Sequence, residues 1–282
     1  MTDKVVVATP WRLAARQVAK LSTTAQFYWF LSHLLSLTFL VVHTAVATVR
    51  GPRSPTALRY YNYSITSTIL TYAIVLRQTY KARPISFVFA RPLSLLRDDN
   101  VQYFLLAVIF RVFSKKHGNS STLYPFAVYA FFHCLGYINA NILRYLPFLS
   151  KEQKSTYSTL IAQFVKTYGE QSSLVAAHTE VLLVTAYILP VAKMVLLLQI
   201  IRPNYLVQNV QVLFLLSVVV IFNKLRFDQS KYTRALVTQY DARINTMLAM
   251  PVIPPALQNA YFALRQSIIA QLSKINLPVQ PK

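Results

Sequence analysis

Long uncharged apolar blocks alternate with short basic stretches along this chain, and their spacing predicts helices that cross a bilayer. Between Leu21 and Val49 there is no Asp, Glu, Lys or Arg. About 20 apolar residues cross a hydrocarbon core of about 30 Å, so this block is long enough to span. Its apolar part is too long for a cleaved signal peptide, and Arg50-Gly51-Pro52-Arg53 is not a small-residue cleavage site. A retained anchor is therefore expected.

Counting on from there gives six membrane segments. Phe27–Val49 is the first, with Tyr28 and Trp29 as interface anchors. Pro52 and Pro55 turn the chain. Tyr60–Leu76 is short and rich in Tyr, Ser and Thr, so it either crosses a thinned bilayer or lies shallowly as one arm of a hairpin. A basic linker, 77–100, leads to Val101–Phe113, which has only the length of a half-span. Thr122–Leu143 is uncharged and spans. Ser150 and Gln153 have the spacing of a capping box. They open an interfacial helix with Tyr157, Leu160, Phe164 and Tyr168 on one face and Gly169 as its stop. The fifth segment runs from about Ser172 to residue 201, and the sixth, Tyr205–Phe222, follows the turn at Pro203.

The ends of the chain are amphipathic. Near the N-terminus Thr9 can cap a helix that begins at Pro10, with Trp11, Ala15 and Val18 on one face and Arg12, Arg16 and Lys20 as its basic residues. Beyond residue 222 there is no spanning block. Tyr232, Leu236, Tyr240, Ile244 and Met247 recur at helical spacing, and after the break at Pro251–Pro255 so do Leu257, Tyr261, Leu264, Ile268, Leu272 and Ile275. Lys224, Arg226, Lys231, Arg234 and Arg243 form a basic flank. Two readings fit these stripes: a small cytosolic bundle, or helices whose Tyr and Leu faces lie on a membrane surface. The expected fold is thus all-α: a polytopic membrane protein with about four to six membrane-embedded helices or hairpins and C-terminal amphipathic helices. It divides into a cytosolic arm (1–20), a helical membrane domain (21–222) and a basic cytosolic tail (223–282).

Composition supports this picture. Hydrophobic residues make up 55% of the 282 positions and charged ones 13%, against roughly 25% charged in soluble domains. A net charge of +21 in a soluble protein would point to nucleic acid. Here Lys and Arg flank apolar blocks, so anionic headgroups account for them and no nucleic-acid partner is expected. Most of them fall in the N-terminal arm, the 77–100 linker, the 144–171 region and the tail. With an even number of crossings these lie on one side, which places both termini in the cytosol.

Candidate chemistry is sparse. Cys134 is the single cysteine, so it reads as a small helix-packing residue. His33, His43, His117, His133 and His178 show no metal-ligand spacing, and four scattered glycines form no phosphate loop. Neither a metal nor a cofactor is expected, and no catalytic residue. Asp98-Asp99 could hold a divalent metal and diphosphate in a lipid-modifying enzyme; the simpler reading is an acidic helix N-terminus. Glu180 and Lys193 are intramembrane polar residues, roughly 20 Å apart along one helix, too far to pair. His178 or a polar residue on another helix would satisfy Glu180, and Lys193 would snorkel; a small transporter is the competing function. The sequons at Asn62 and Asn119 read as chance matches too close to the membrane for modification.

Several stretches carry a resemblance: RPLSLLRDDNVQYFLLAVIFRVF (91–113), YPFAVYAFFHCLGYINANIL (124–143), EVLLVTAYILPV (180–191), LRFDQSKYTRALVTQYDARIN (225–245) and PALQNAYFALRQSI (255–268). In these the chain resembles the transmembrane protein 33 family, which includes the fungal pore membrane protein 33 nucleoporins. The resemblance implies a non-enzymatic protein of the endoplasmic reticulum membrane and nuclear envelope, concerned with nuclear pore biogenesis or distribution and with membrane organisation. It also implies reticulon-type and nucleoporin partners, and a basic tail that binds membrane and a nuclear import receptor. The matching tail positions are Tyr232, Leu236, Tyr240, Leu257, Tyr261, Leu264 and Ile268.

Overall fold

The computed structural model describes residues 10–82, 92–114, 118–198, 202–275 and 277. The expected cap at Thr9, the middle of the 77–100 linker, His117 and residue 201 lie outside them. Helices and turns account for the described residues, with no strand among them. The elements are α1 (Pro10–Leu21), α2 (Ala25–Arg50), α3 (Pro55–Tyr80), a single turn α4 (Pro92–Leu95), α5 (Asp99–Phe113), α6 (Tyr124–Tyr137), α7 (Lys151–Leu182), α8 (Thr185–Leu196), α9 (Leu206–Gln229), α10 (Lys231–Leu248) and α11 (Pro255–Leu272). Four stretches are long and apolar enough to cross a membrane: Ala25–Arg50, Tyr124–Tyr145, Lys151–Leu196 and Pro203–Gln229. The chain falls into two compact units, residues 1–79 with 114–173, and residues 80–113 with 174–282.

In the first unit α2 packs on α6. Phe30 stacks on Tyr137 at 4.5 Å, and with Cys134 they form a core flanked by Trp29, Leu37, Ile138 and Ile142. The polar helix α3 extends beyond the expected Tyr60–Leu76 at both ends, and its Ser and Thr residues seat it against α2. Ser36 and Thr68 share a hydrogen bond of 2.7 Å, and the Ser64 hydroxyl donates to the Ser36 carbonyl at 2.8 Å. Thr68 and Thr71 donate to carbonyls one turn back. Small side chains let the two helices approach closely, and the hydroxyls of Ser36, Ser64, Thr68 and Thr71 are all hydrogen-bonded.

At one end of α2 the fully buried His43 holds three segments together. Its Nδ1 lies 2.9 Å from the Ala57 carbonyl and its Nε2 3.0 Å from Ser120 Oγ. A carbonyl only accepts, so Nδ1 carries the proton and Nε2 accepts from the serine. Gly118 sits nearby at φ +59°, where a Cβ would stand 2.3 Å from the Pro52 carbonyl oxygen; glycine is needed for both reasons.

Two expectations about α7 meet different fates. Its capping box forms: Gln153 N–H donates to Ser150 Oγ at 3.2 Å and Ser150 N–H to Gln153 Oε1 at 2.9 Å. Gly169, however, does not stop the helix, which runs on to Leu182. A glycine inside a helix costs only about 1 kcal/mol, and neither a proline nor a second glycine follows Gly169 to end the helix. The helix yields instead at Leu183–Val184, where bonding tightens to i−3.

In the second unit α5 lies against α9. Tyr103 meets Phe222 edge-on at 5.4 Å, and Phe110 stacks on Tyr187 at 6.3 Å. The rest of α9 and α8 presents Val207, Val210, Leu189 and Leu196 outward, all well exposed. Such apolar surface requires lipid around it.

Candidate functional site

The second unit is organised around a buried charge. The last turns of α7 carry Glu180 into the interior, where it is 0% exposed. A lone carboxylate there would cost several kcal/mol, so donors must converge on it. The Tyr103 hydroxyl of α5 donates to Oε1. Thr233 Oγ1 of α10 and Arg226 Nε of α9 both reach Oε2 at 3.2 Å. Arg226 Nη1 then lies 2.7 Å from Asp99 Oδ1, and its guanidinium sits 5.4 Å above the Tyr103 ring. Asn223 Nδ2 donates to the Glu180 carbonyl at 3.0 Å. Four helices are thereby tied to one carboxylate, and one of them is the first helix of the tail.

This corrects one expectation and decides another, since polar residues on other helices are the partners of Glu180. Arg226 does not belong to a basic surface flank; it is buried because Glu180 needs a cation within reach. His178 is not the partner of Glu180: its Nδ1 pairs with the Leu174 carbonyl at 2.9 Å and its ring meets Tyr240 edge-on. Lys193 is exposed. The acidic pair serves two separate tasks. Asp98 Oδ1 accepts from Asn100 N–H at 2.8 Å and caps α5, while Oδ2 accepts from the Tyr80 hydroxyl at 2.9 Å. Asp99 faces Arg226. Among the described residues no group of three His, Cys, Asp or Glu could hold a metal ion.

The tail consists of α10 and α11 joined through the proline-rich break. Ser230 caps α10 by accepting from Thr233 N–H, and Pro255 opens α11. Arg265 grips Asp241 with two hydrogen bonds of 2.7 Å, which hold the Asp241 carboxyl below the usual aspartate range. Between α9, α10 and α11 lies an apolar cavity of about 760 Å³, lined by Phe227, Val237, Tyr261, Leu264, Ile268 and Leu272 among others.

The predicted stripe splits. Leu257, Leu264, Ile268 and Ile244 are exposed; Tyr232, Tyr240, Tyr261 and Leu272 are half-buried. Leu236 is 3% exposed, so it docks α10 inward, next to Thr233, and is unavailable to a membrane. Much of the basic flank is also engaged. Lys224 pairs with Asp228, Arg234 caps the end of α9 through the Phe227 and Asp228 carbonyls, and Lys231 lies over the Tyr232 ring. Arg243 remains exposed. Sequence reasoning missed Tyr103, Asn223, Thr233 and the Asp241–Arg265 pair. The available signal was the need of an intramembrane glutamate for a cation, and Arg226 sat in the last turn of the final spanning helix.

Long apolar helices with lipid-requiring outer faces, joined by a buried ion pair and bonded through Thr233 to an amphipathic tail, define a polytopic α-helical membrane protein. The chain belongs to the Transmembrane protein 33/Nucleoporin POM33 family, matching it over residues 12–274. It is 30% identical over 242 residues to the Pore and endoplasmic reticulum protein of 33 kDa of Saccharomyces cerevisiae, covering 82% of this chain and 84% of that one. Nucleoporin POM33 of Chaetomium thermophilum is 28% identical, with 86% and 83% covered. Tetra-spanning protein 1 of Schizosaccharomyces pombe is 26% identical, with 93% and 88% covered. No solved structure matches the chain.

Proposed function

We propose that this protein is a non-enzymatic organiser of the endoplasmic reticulum membrane and nuclear envelope, acting in nuclear pore biogenesis or distribution. The names of its relatives, which describe pore and reticulum proteins and a nucleoporin, support the location. Both termini lie in the cytosol, and nucleoporins, reticulon-type shaping proteins and a nuclear import receptor are the partner classes.

Within this reading α11 is the membrane-contact element. One observation carries it: Arg265 pins α11 to α10, yet Leu257, Leu264 and Ile268 stay exposed. An apolar face held outward beside the end of a span suits burial in the headgroup region.

The test replaces Ile268 by Cys in a Cys134→Ser background and attaches an environment-sensitive dye, in full-length protein reconstituted in nanodiscs. Dye emission should shift to the blue and be quenched by lipids with brominated chains. Water-like emission insensitive to those lipids would remove α11 from the membrane surface.

A further inference from the structure

The N-terminal helix α1 has three distinct sides. Ala14, Gln17 and Leu21 are half-buried against the rest of their unit. Trp11, Ala15 and Val18 form a second, exposed side, with Trp11 67% exposed. Arg12, Arg16 and Lys20 form a third, roughly 130° around the helix from the apolar one. No acidic residue occurs between Pro10 and Leu21. Leu13 departs from the pattern and lies on the polar side.

Connectivity places this helix at a bilayer surface. Only Ser22, Thr23 and Thr24 separate it from α2, the first spanning helix. That connector has no slack. The three hydroxyls donate back to the Ala19, Lys20 and Leu21 carbonyls at 2.9, 2.8 and 2.7 Å. Thr24 Oγ1 also accepts from Phe27 N–H and caps α2. The last carbonyls of α1 are therefore satisfied without water, so this helix end can enter a poorly hydrated layer without losing hydrogen bonds. On its packed side α1 contacts the turn Leu143–Tyr145, the end of the span that begins at Tyr124. Arg144 and Lys154 cluster there, Lys154 Nζ donating to the Arg144 carbonyl at 3.1 Å. The start of one span and the end of another thus hold α1 at the same membrane face.

We infer that α1 is an interfacial anchor lying in the headgroup layer of an anionic leaflet. Its Trp11–Ala15–Val18 side is turned to the acyl chains, and Arg12, Arg16 and Lys20 reach the lipid phosphates. The exposed apolar patch is too small to bind lipid by itself, but the short connector makes the contact intramolecular, with an effective concentration on the order of millimolar. The inference concerns α1 alone and stands independently of the role assigned to α11.

The sequence contains two tryptophans, Trp11 and Trp29, which gives a direct readout. Full-length protein is placed one copy per nanodisc, in phosphatidylcholine alone or with phosphatidylserine. The Trp11 signal is the difference between wild type and Trp11→Phe, an exposed and conservative change. With phosphatidylserine, Trp11 emission should shift to the blue, lose acrylamide quenching, and gain quenching by lipids brominated near the headgroup. Arg12→Gln, Arg16→Gln and Lys20→Gln should lower the inserted-to-displaced ratio on the order of fivefold per charge, with helicity by circular dichroism unchanged. Water-like emission with full acrylamide quenching in both lipids would overturn the inference. Equal protection in both lipids would overturn its anionic requirement, and because each disc holds one copy, protection cannot come from a second chain.

Discussion

Arg226 and Glu180, on α9 and α7, form an ion pair of 3.2 Å in which the carboxylate is fully shielded and the arginine side chain only 6% exposed. The pair is the junction of the second unit, because Tyr103 and Thr233 bond the same carboxylate. A charge pair in such surroundings is weak evidence for net stability, but removing one partner strands the other.

Arg226→Met should therefore destabilise the protein by about 3–5 kcal/mol. The double variant Arg226→Met with Glu180→Gln should recover most of that loss. Thermal unfolding of the three proteins in one detergent measures it, and additive losses would show that the two side chains do not act as a pair.

The grip of Arg265 on Asp241 makes the α10–α11 contact pH-dependent. Because the folded-state carboxyl titrates below its unfolded value, the contact contributes fully above about pH 4, the ordinary aspartate value, and is lost as pH falls through the lower folded one. Hydrogen exchange in α11 should rise across that window, and Asp241→Asn should show the raised exchange already at neutral pH.

Leu236 and Leu264 occupy equivalent positions in the sequence stripes and should respond differently. Leu236→Ala should cost about 2–5 kcal/mol, as for a buried leucine. Leu264→Glu with Ile268→Glu should leave the unfolding temperature unchanged while abolishing quenching of a label on α11 by brominated lipids.

Gly118→Ala should destabilise by about 1–3 kcal/mol, through both the positive φ and the collision with the Pro52 carbonyl. The melting temperature in detergent reports it directly; an unchanged value would mean that the 51–54 turn moves aside at no cost.

Much of the architecture was legible in the residues. The blocks beginning near Phe27, Thr122, Ser172 and Tyr205 all correspond to spanning helices, and the Ser150–Gln153 box and the break at Pro251–Pro255 sit where expected. Segment two is longer than its apolar block because polar residues beyond Tyr60–Leu76, which hydropathy excludes, still continue the helix from Pro55 to Tyr80. Gly169 misled because a glycine is a stop only where the chain beyond it turns away, which its immediate neighbours do not encode.

The sequence by itself determined that this is a helical membrane protein with an amphipathic N-terminal helix and an amphipathic tail. The reason is that length, hydropathy and periodicity act locally, over windows of about 20 residues. Only the tertiary structure decided which positions of those stripes are free. Leu236 and Arg226 have the same residue character as Leu264 and Arg243, yet Glu180, some fifty residues upstream in the chain, draws Arg226 and Thr233 inward, and Leu236 is buried within one turn of Thr233. A buried carboxylate takes its donors from whatever helix lies within hydrogen-bonding distance, and proximity of that kind is set by packing across the unit.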